Sequence, residues 1–325
     1  MAVITLAAAS CGPRSTRGGE GRVVTVTIPP FAWFVEQIGG DDFNVNVLLP
    51  PGADHHIWEP LPAQISSLSG SEAFIMNGQL GFEHAWIDRF MQVNPGMKVL
   101  DLSRNIKVIG SESLESESLE SESLKSEGPG EGHEYEGDDH EKHADNENDH
   151  GHADESQSHV HGGPDPHYWM SPSEAFIIAH DVRDFLAGLN PASAEKYDAN
   201  LASVNRKIAE VDSLVRARIG EGTQRTVMIF HPALAYMGRD YGFEQLSFED
   251  EGKSPSPARM KELIDLAREK EIKIIFIQAE YDVRNAESLS REAGARLVVI
   301  NPMNSEWPEA VLEVAEAIGR GDFGF

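Results

Sequence analysis

Short runs of β-branched and apolar residues alternate, in the first third of the chain, with segments whose apolar side chains recur every three or four positions. The first pattern is typical of buried strands, and the second is typical of helices that turn one face to a core. The patterns predict strands over residues 23–28, 45–49, 73–76 and 98–102, with helices over 31–38, 62–69 and 81–91. This alternation indicates parallel strands flanked by helices.

The same alternation returns in the second half, after one long helical segment. Residues 191–219 keep apolar side chains at helical spacing, and Gly220 follows them. At about 1.5 Å per residue such a helix reaches about 40 Å, enough to bridge two lobes. Beside it the patterns predict helices over 174–189, 232–241, 257–270, 284–293 and 306–318, with strands over 226–230, 272–277 and 296–300. The predicted fold class is therefore α/β, with two α/β lobes of parallel-type sheets joined by one long rigid helix.

The predicted domain boundaries follow from these elements. An N-terminal lobe covers residues 23–190, the linking helix covers 191–219, and a C-terminal lobe covers 220–325. Residues 110–164 interrupt the first lobe as an insertion too long for an ordinary loop. The insertion opens with the repeat SESLE-SESLE-SESLK, whose single Leu in each unit gives no lasting apolar helix face, and we interpret it as a disordered spacer.

The rest of the insertion is acidic and rich in histidine. Residues 110–166 hold 18 acidic side chains against Lys125 and Lys142, which accounts for 16 of the 27 net negative charges of the chain. Imidazoles in an acidic, polar tract indicate metal collection, here at auxiliary weak sites. These histidines are His133, His140, His143, His150, His152, His159 and His161.

Composition narrows the class of protein further. The acidic balance argues against a nucleic-acid partner, because phosphates would be repelled. Cys11 is the one cysteine of the chain, so no internal disulfide forms. It follows Leu6-Ala7-Ala8-Ala9-Ser10, which resembles the end of a lipoprotein signal. Residues 1–22 are therefore interpreted as a signal remnant and tether, and the protein as extracytoplasmic, either lipid-anchored to the outer face of the cell membrane or periplasmic.

Candidate ligands stand just past the predicted ends of strands, where parallel-sheet folds place their sites. His56 follows the strand over 45–49, and His231 follows the strand over 226–230 directly. His167 stands behind Asp165 and Pro166, and a polar segment over residues 278–282 follows the strand over 272–277. A cleft between two lobes would bring these segments together. Imidazole is the commonest protein ligand for zinc-like ions, so the sequence indicates a metal site there.

Five segments carry a specific resemblance. They are PPGADHHIWEP (50–60), NGQLGFEHAW (77–86), DPHYWMSP (165–172), FHPALAYMGRDYGF (230–243) and FIQAEYDVRNAESLSREAGARLVVINP (276–302). In this order and spacing they resemble the substrate-binding component of zinc-uptake ABC transporters, within the cluster A-I family of metal-binding solute-binding proteins. The resemblance spans nearly the whole of residues 23–318. It implies a monomeric, non-catalytic protein that holds one tight Zn²⁺ between its lobes and delivers it to an ABC transporter permease with its ATPase.

The resemblance also implies which residues hold the ion. His56, His167 and His231 match the three protein ligands of the family, and a histidine at the third position favours zinc, because manganese-binding relatives usually carry a carboxylate there. Asp54, Glu59 and Asp165 are candidates to orient the imidazoles, whereas Glu83 is expected to be structural. For the fourth ligand we expect Asp282, with Glu280, His55 or water as alternatives.

Other functions stay open on the sequence alone. The same fold could serve manganese or another transition metal, and the histidine tract could make the protein a surface metal buffer or adhesin. A three-histidine zinc hydrolase is the enzymatic alternative, with Asp282 or Glu280 as its base. The chain contains no HExxH helix, the usual zinc-hydrolase signature.

Overall fold

The computed structural model describes residues 21–110, 163–220, 225–249 and 255–319. Cys11, the SESLE repeat and the histidines from His133 to His161 lie outside these ranges, so the expectations attached to them stay predictions. Among the described residues, no helix combines the length and the apolar character needed to cross a bilayer.

The first lobe alternates strands and helices as the hydrophobic pattern indicates. Its strand β3 is buried along its whole length, as expected for a central parallel strand covered on both faces. The elements are β1 (Arg22–Val26), α1 (Pro29–Gly39), β2 (Phe43–Val47), α2 (Pro62–Ser67), β3 (Ala73–Met76), α3 (Gly81–Val93), β4 (Lys98–Asp101) and α4 (Pro172–Leu189). The four strands are parallel in the order β2-β1-β3-β4.

The second lobe repeats this topology. Its elements are β5 (Arg225–Ile229), α6 (Ala235–Tyr241), β6 (Phe243–Ser247), α7 (Pro257–Glu269), β7 (Ile274–Gln278), α8 (Arg284–Ala293), β8 (Arg296–Ile300) and α9 (Trp307–Gly319), following the connecting helix α5 (Ala194–Ile219). The parallel order β6-β5-β7-β8 matches that of the first sheet. In each sheet the second strand lies on one side of the first strand, and the third and fourth strands lie on the other side. Because all strands are parallel, the loops that follow them lie at the same edge of the sheet.

Helix α5 is the common support of both lobes. Its buried positions recur at intervals of three and four residues from Tyr197 to Ile219, which keeps one apolar face along 26 residues. It packs against α1 and α4 of the first lobe and against α9, the last helix of the second. One hydrophobic core therefore extends across both lobes, while a smaller cluster fills the far side of the second sheet. The predicted α/β class, with two lobes and a long connecting helix, is confirmed.

One strand of the structure has no counterpart in the sequence prediction, and the bounds of others differ. Strand β6 at Phe243–Ser247 was not predicted, because as an edge strand it exposes or half-exposes most of its residues and shows no apolar run. The second strand ends at Val47 rather than at residue 49, although Leu48 and Leu49 still donate backbone hydrogen bonds to β1 and the residue after it. Edge positions and strand ends depend on neighbours that a local pattern does not contain.

Candidate metal centre

Four histidines meet in the cleft between the lobes. His55, His56, His167 and His231 each offer one ring nitrogen, and these nitrogens all lie within 4.8 Å of one another. His56 is exposed, whereas the other three imidazoles are buried. We call these four side chains the imidazole cluster. Three of its members are the predicted ligands, and the fourth, His55, was one of the alternatives for the last position.

The fold brings these histidines from three separate segments. His55 and His56 lie in the loop after β2, His231 lies two residues after the end of β5, and His167 precedes a single 3-10 turn that leads into α4. The first two segments leave the ends of parallel strands, one in each lobe, which is where such sheets place their sites. The fully buried Trp169 ring packs against the inner side of the cluster, with its centroid 5.2 Å from that of the His167 ring.

Asp165 fixes the orientation of His167. Its Oδ1 atom accepts the backbone N–H of His167 and lies 2.8 Å from the ring Nδ1. With Nδ1 carrying the proton toward the carboxylate, Nε2 keeps its lone pair for the cluster. Burial raises the pKa of Asp165 to about 6, and burial, followed by the charges of His231 and His56, lowers the pKa of His167 well below its ordinary value. The imidazole is therefore held neutral, which is its ligand form.

Glu249 fixes the orientation of the His231 ring in the same way. Its Oε1 atom lies 2.8 Å from Nδ1 of His231, and the carboxylate is 3 % exposed. The backbone of His231 is fixed separately by the Gln278 side chain, whose amide donates to the His231 carbonyl at 2.6 Å. Nε2 of His231 is buried without a hydrogen-bond partner. Such an orphaned acceptor costs free energy unless it binds a ligand, so its position fits a metal-coordinating nitrogen.

His55 completes the cluster at close range. Its Nε2 atom lies 3.0 Å from Nε2 of His167. Two nitrogens bound to one tetrahedral zinc at about 2.0–2.1 Å stand about 3.3 Å apart, so a small adjustment suits both. Burial, followed by the charges of His56, His167 and His231, lowers the pKa of His55 well below its ordinary value. Burial thus keeps both imidazoles neutral, which is the form in which a ring nitrogen can bind a cation.

Glu83 supports the cluster indirectly. Its carboxylate accepts the backbone N–H groups of Asn77 and of the next residue, each at 2.7 Å. Asn77 in turn donates its side-chain amide to the Pro166 carbonyl at 3.0 Å and accepts the Tyr168 hydroxyl at 2.6 Å. Pro166 and Tyr168 flank His167, so Glu83 helps to position His167 through Asn77. Burial raises the pKa of Glu83 to about 7.

The structure does not bring Asp282 to the imidazole cluster. Its carboxylate is half-exposed and pairs with Arg284, whose Nε lies 2.8 Å from Oδ2. Glu280 is half-buried between the lobes, where burial raises its pKa, but it also lies outside the group of converging atoms. Glu59 is exposed, whereas Asp54 accepts the backbone N–H of His56 at 2.9 Å. Beside His56, His167 and His231, the fourth side chain that the structure brings to the cluster is His55 and not Asp282.

One supporting residue was missed by the sequence analysis. Glu249 stands just after β6, the strand that the hydrophobic pattern did not reveal. Strands β5 and β6 are neighbours in one sheet, and His231 and Glu249 stand just past their ends. A prediction of β6 would therefore have placed Glu249 beside His231.

Comparisons with known proteins agree with this geometry. A sequence model of the family described as zinc-uptake complex component A, periplasmic, matches residues 24–317. The zinc-binding lipoprotein AdcA of Streptococcus pneumoniae is 26 % identical over 298 residues, which cover 91 % of this chain and 52 % of that protein. The high-affinity zinc uptake system protein ZnuA of Bacillus subtilis is 25 % identical over 310 residues, or 93 % of this chain and 86 % of that protein.

Solved structures show the same fold. A crystal structure of ZnuA superimposes with a TM-score of 0.74 at 28 % identity, covering 92 % of this chain and 98 % of that one. A zinc-bound ZnuA deletion mutant lacking its residues 138–173 gives a TM-score of 0.73, also at 28 % identity, covering 94 % of this chain and 99 % of that one. This chain spans about half the length of the streptococcal relatives that it matches.

Glu249→Gln should weaken zinc binding about 10- to 100-fold, because the amide can no longer hold the Nδ1 proton of His231 with a charge. Competition with a chromophoric chelator measures the affinity, and circular dichroism checks the fold. Glu244→Gln is the matched control, since Glu244 is exposed on β6 and accepts only a 3.2 Å bond from Thr226 among the contacts described for its side chain. Equal affinities for the two variants would contradict a supporting role for Glu249.

Proposed function

The chain belongs to the zinc-uptake complex component A family, and we propose on that premise that it captures Zn²⁺ outside the cytoplasm and delivers it to an ABC-type permease. The imidazole cluster is the observation that carries this proposal. It joins ring nitrogens from both lobes, and carboxylates behind His167 and His231 fix the tautomers that a cation needs.

We propose that His55 is the fourth ligand, beside His56, His167 and His231. Four nitrogen ligands satisfy the tetrahedral shell that Zn²⁺ takes readily. The alternative, Asp282, is engaged by Arg284 at the surface and would have to break that pair to reach the cluster. Because the four ligands are neutral, the two positive charges of the ion are balanced by the carboxylates of Asp165 and Glu249, which contact the far nitrogens of His167 and His231.

The proposed cargo is zinc rather than manganese. Manganese favours hard carboxylate and carbonyl oxygens, whereas this cluster offers imidazole nitrogen alone. Copper, nickel and cobalt also accept imidazole, so selection among these ions depends on geometry and availability rather than on ligand type.

A binding protein fits this site better than a hydrolase does. A catalytic zinc keeps an open position for water, with a general base beside it. Four imidazoles fill the shell. Of the two candidate bases, Asp282 pairs with Arg284, and Glu280 lies outside the converging group. We therefore infer a transport component without catalysis, acting as a monomer with the permease and its ATPase as partners.

We further infer that Cys11 carries a lipid that holds the protein at the outer face of the membrane. The name of the Streptococcus pneumoniae relative, a zinc-binding lipoprotein, supports this. The histidines from His133 to His161 are proposed as additional weak zinc sites that gather the ion beside the cleft.

His55→Ala should lower zinc affinity roughly a hundredfold or more, since losing a ligand costs more than the 10- to 100-fold loss of a supporting group. Asp282→Ala should leave the affinity unchanged. His180→Ala, on the exposed face of α4, controls for the loss of an imidazole elsewhere. Isothermal titration with chelator competition compares the variants. An unchanged affinity in His55→Ala together with a large loss in Asp282→Ala would reverse the assignment.

Deleting residues 111–162 should preserve one tight zinc site and remove the weaker ones. The structure favours this experiment because the two ends lie together. The backbone N–H of Asp165 donates to the Ile109 carbonyl at 2.9 Å, and a Cβ placed on Gly110 would lie 3.7 Å from backbone atoms of Gly163 and Pro164. Zinc stoichiometry and affinity are measured before and after the deletion. Loss of tight one-to-one binding with the segment would instead favour a metal buffer built on the histidine tract.

Zinc affinity should stay nearly level above about pH 7 and fall as the pH drops through about 6. Burial raises the pKa of Asp165, so below that value zinc must displace a proton from the carboxyl group that holds His167. His167 itself stays neutral to lower pH, because burial lowers its pKa. Competition titrations across this range measure the effect, and Asp165→Asn should flatten it. Equal affinity at pH 7 and pH 5 in the wild-type protein would count against the site.

A further inference from the structure

Residues 50–61, which carry His55 and His56, form a segment that we call the ligand loop. It has prolines near both ends, at residues 50, 51 and 60. Its apolar side chains Ile57 and Leu61 are 78 % and 65 % exposed. A cavity of about 760 Å³ lies against its first residues, between the end of β2 and residues 279–280 and 301–305 of the second lobe. The ligand loop therefore has solvent on one side and open space on another, which leaves room for it to move.

Asp54 organises the ligand loop from within. Its Oδ1 atom accepts the backbone N–H of His56 at 2.9 Å. Its own carbonyl accepts the N–H groups of Ile57 and Trp58 at 3.3 and 3.0 Å. The Trp58 ring packs edge-on against Phe82 of the first lobe at 4.9 Å. These bonds tie the loop together around Asp54, and the Trp58 ring anchors its far end to the first lobe.

The same aspartate reaches the second lobe. Tyr281, which follows β7, donates its hydroxyl to the other oxygen of Asp54, Oδ2, at 3.2 Å. The Tyr281 ring packs on Phe230 at 4.7 Å and lies 6.3 Å from the ring of His231. Tyr281 therefore stands beside the ligand of its own lobe and holds the loop that carries two ligands of the other.

This contact differs from those that join the lobes behind the cluster. There the indole of Trp307 donates to the Trp169 carbonyl at 2.7 Å, and the indole of Trp169 donates to the Pro302 carbonyl at 3.0 Å. Both indoles are fully buried, so these bonds exchange little with water. The bond between Tyr281 and Asp54 is longer and joins half-buried side chains, so it opens more readily.

We propose that Tyr281 and Asp54 form a latch that holds the ligand loop closed over the ion and sets the rate at which zinc enters and leaves. Tyr281 is a positioning residue in this scheme, because it acts through the loop and does not touch the metal. The inference rests on the proposed function of the imidazole cluster. Opening the latch frees the side of the cluster on which the exposed His56 lies, while the buried contacts behind it keep the lobes together.

Tyr281→Phe tests the latch, because it removes one hydroxyl and keeps the ring that packs on Phe230. We expect zinc dissociation, followed by stopped-flow chase into excess chelator, to accelerate about five- to tenfold, the effect of losing one hydrogen bond of ordinary strength between half-buried side chains. Association should accelerate as well, because zinc uses the open loop in both directions. The absorption spectrum of the Co²⁺-loaded protein should stay that of the wild type, because no ligand has changed.

Tyr241→Phe is the matched control. The Tyr241 hydroxyl also donates to an aspartate, Asp212 on helix α5, at 2.7 Å. This bond involves no member of the imidazole cluster. This variant should keep wild-type rates. Unchanged dissociation in Tyr281→Phe, or faster dissociation without faster association, would overturn the latch, and so would an altered Co²⁺ spectrum. Failure of the wild-type protein to bind zinc at all would instead overturn the proposed function, so the two outcomes are distinguishable.

Discussion

The structure depends on holding four imidazoles together in a mostly buried cleft. Their nitrogens lie within 4.8 Å of one another, and Nε2 of His231 has no hydrogen-bond partner. Burying such acceptors without partners destabilises the folded protein, and a cation bound to them would offset this cost. Asp165 and Glu249 make the arrangement possible, since each holds the far nitrogen of one ring and so directs the other nitrogen inward. The cleft is therefore organised in advance for a divalent ion.

The two lobes supply this constraint through their repeated topology. Each parallel sheet brings its strand-end loops to one edge, so one loop from each lobe carries histidine side chains to the cleft. Helix α5 and the core that crosses the lobes fix the distance between those edges. Behind the imidazoles, buried indole–carbonyl bonds join Trp169 to the second lobe. Rigidity behind the site and a freer loop in front of it suit a protein that must both hold an ion and release it.

Much of the fold followed from local patterns, and the exceptions have physical reasons. Seven of the eight strands in the described parts of the chain have apolar or β-branched runs, whereas β6 is a half-polar edge strand without such a run. Missing it also hid Glu249, whose role depends on where that strand ends. His56, His167 and His231 could be selected because each belongs to a distinctive segment. The choice between His55 and Asp282 could not be made in this way, since both stand in such segments.

The sequence by itself determined the class of fold and the long connecting helix, and it singled out three of the four converging histidines, because periodicity and motif are properties of neighbouring residues. It also determined the kind of ligand, since residue type decides between nitrogen and oxygen. Only the tertiary structure decided which side chains converge. Asp282 is turned to the surface by its pair with Arg284, and His55 is buried against His167. Convergence depends on the packing of distant segments, which no local pattern of residues contains.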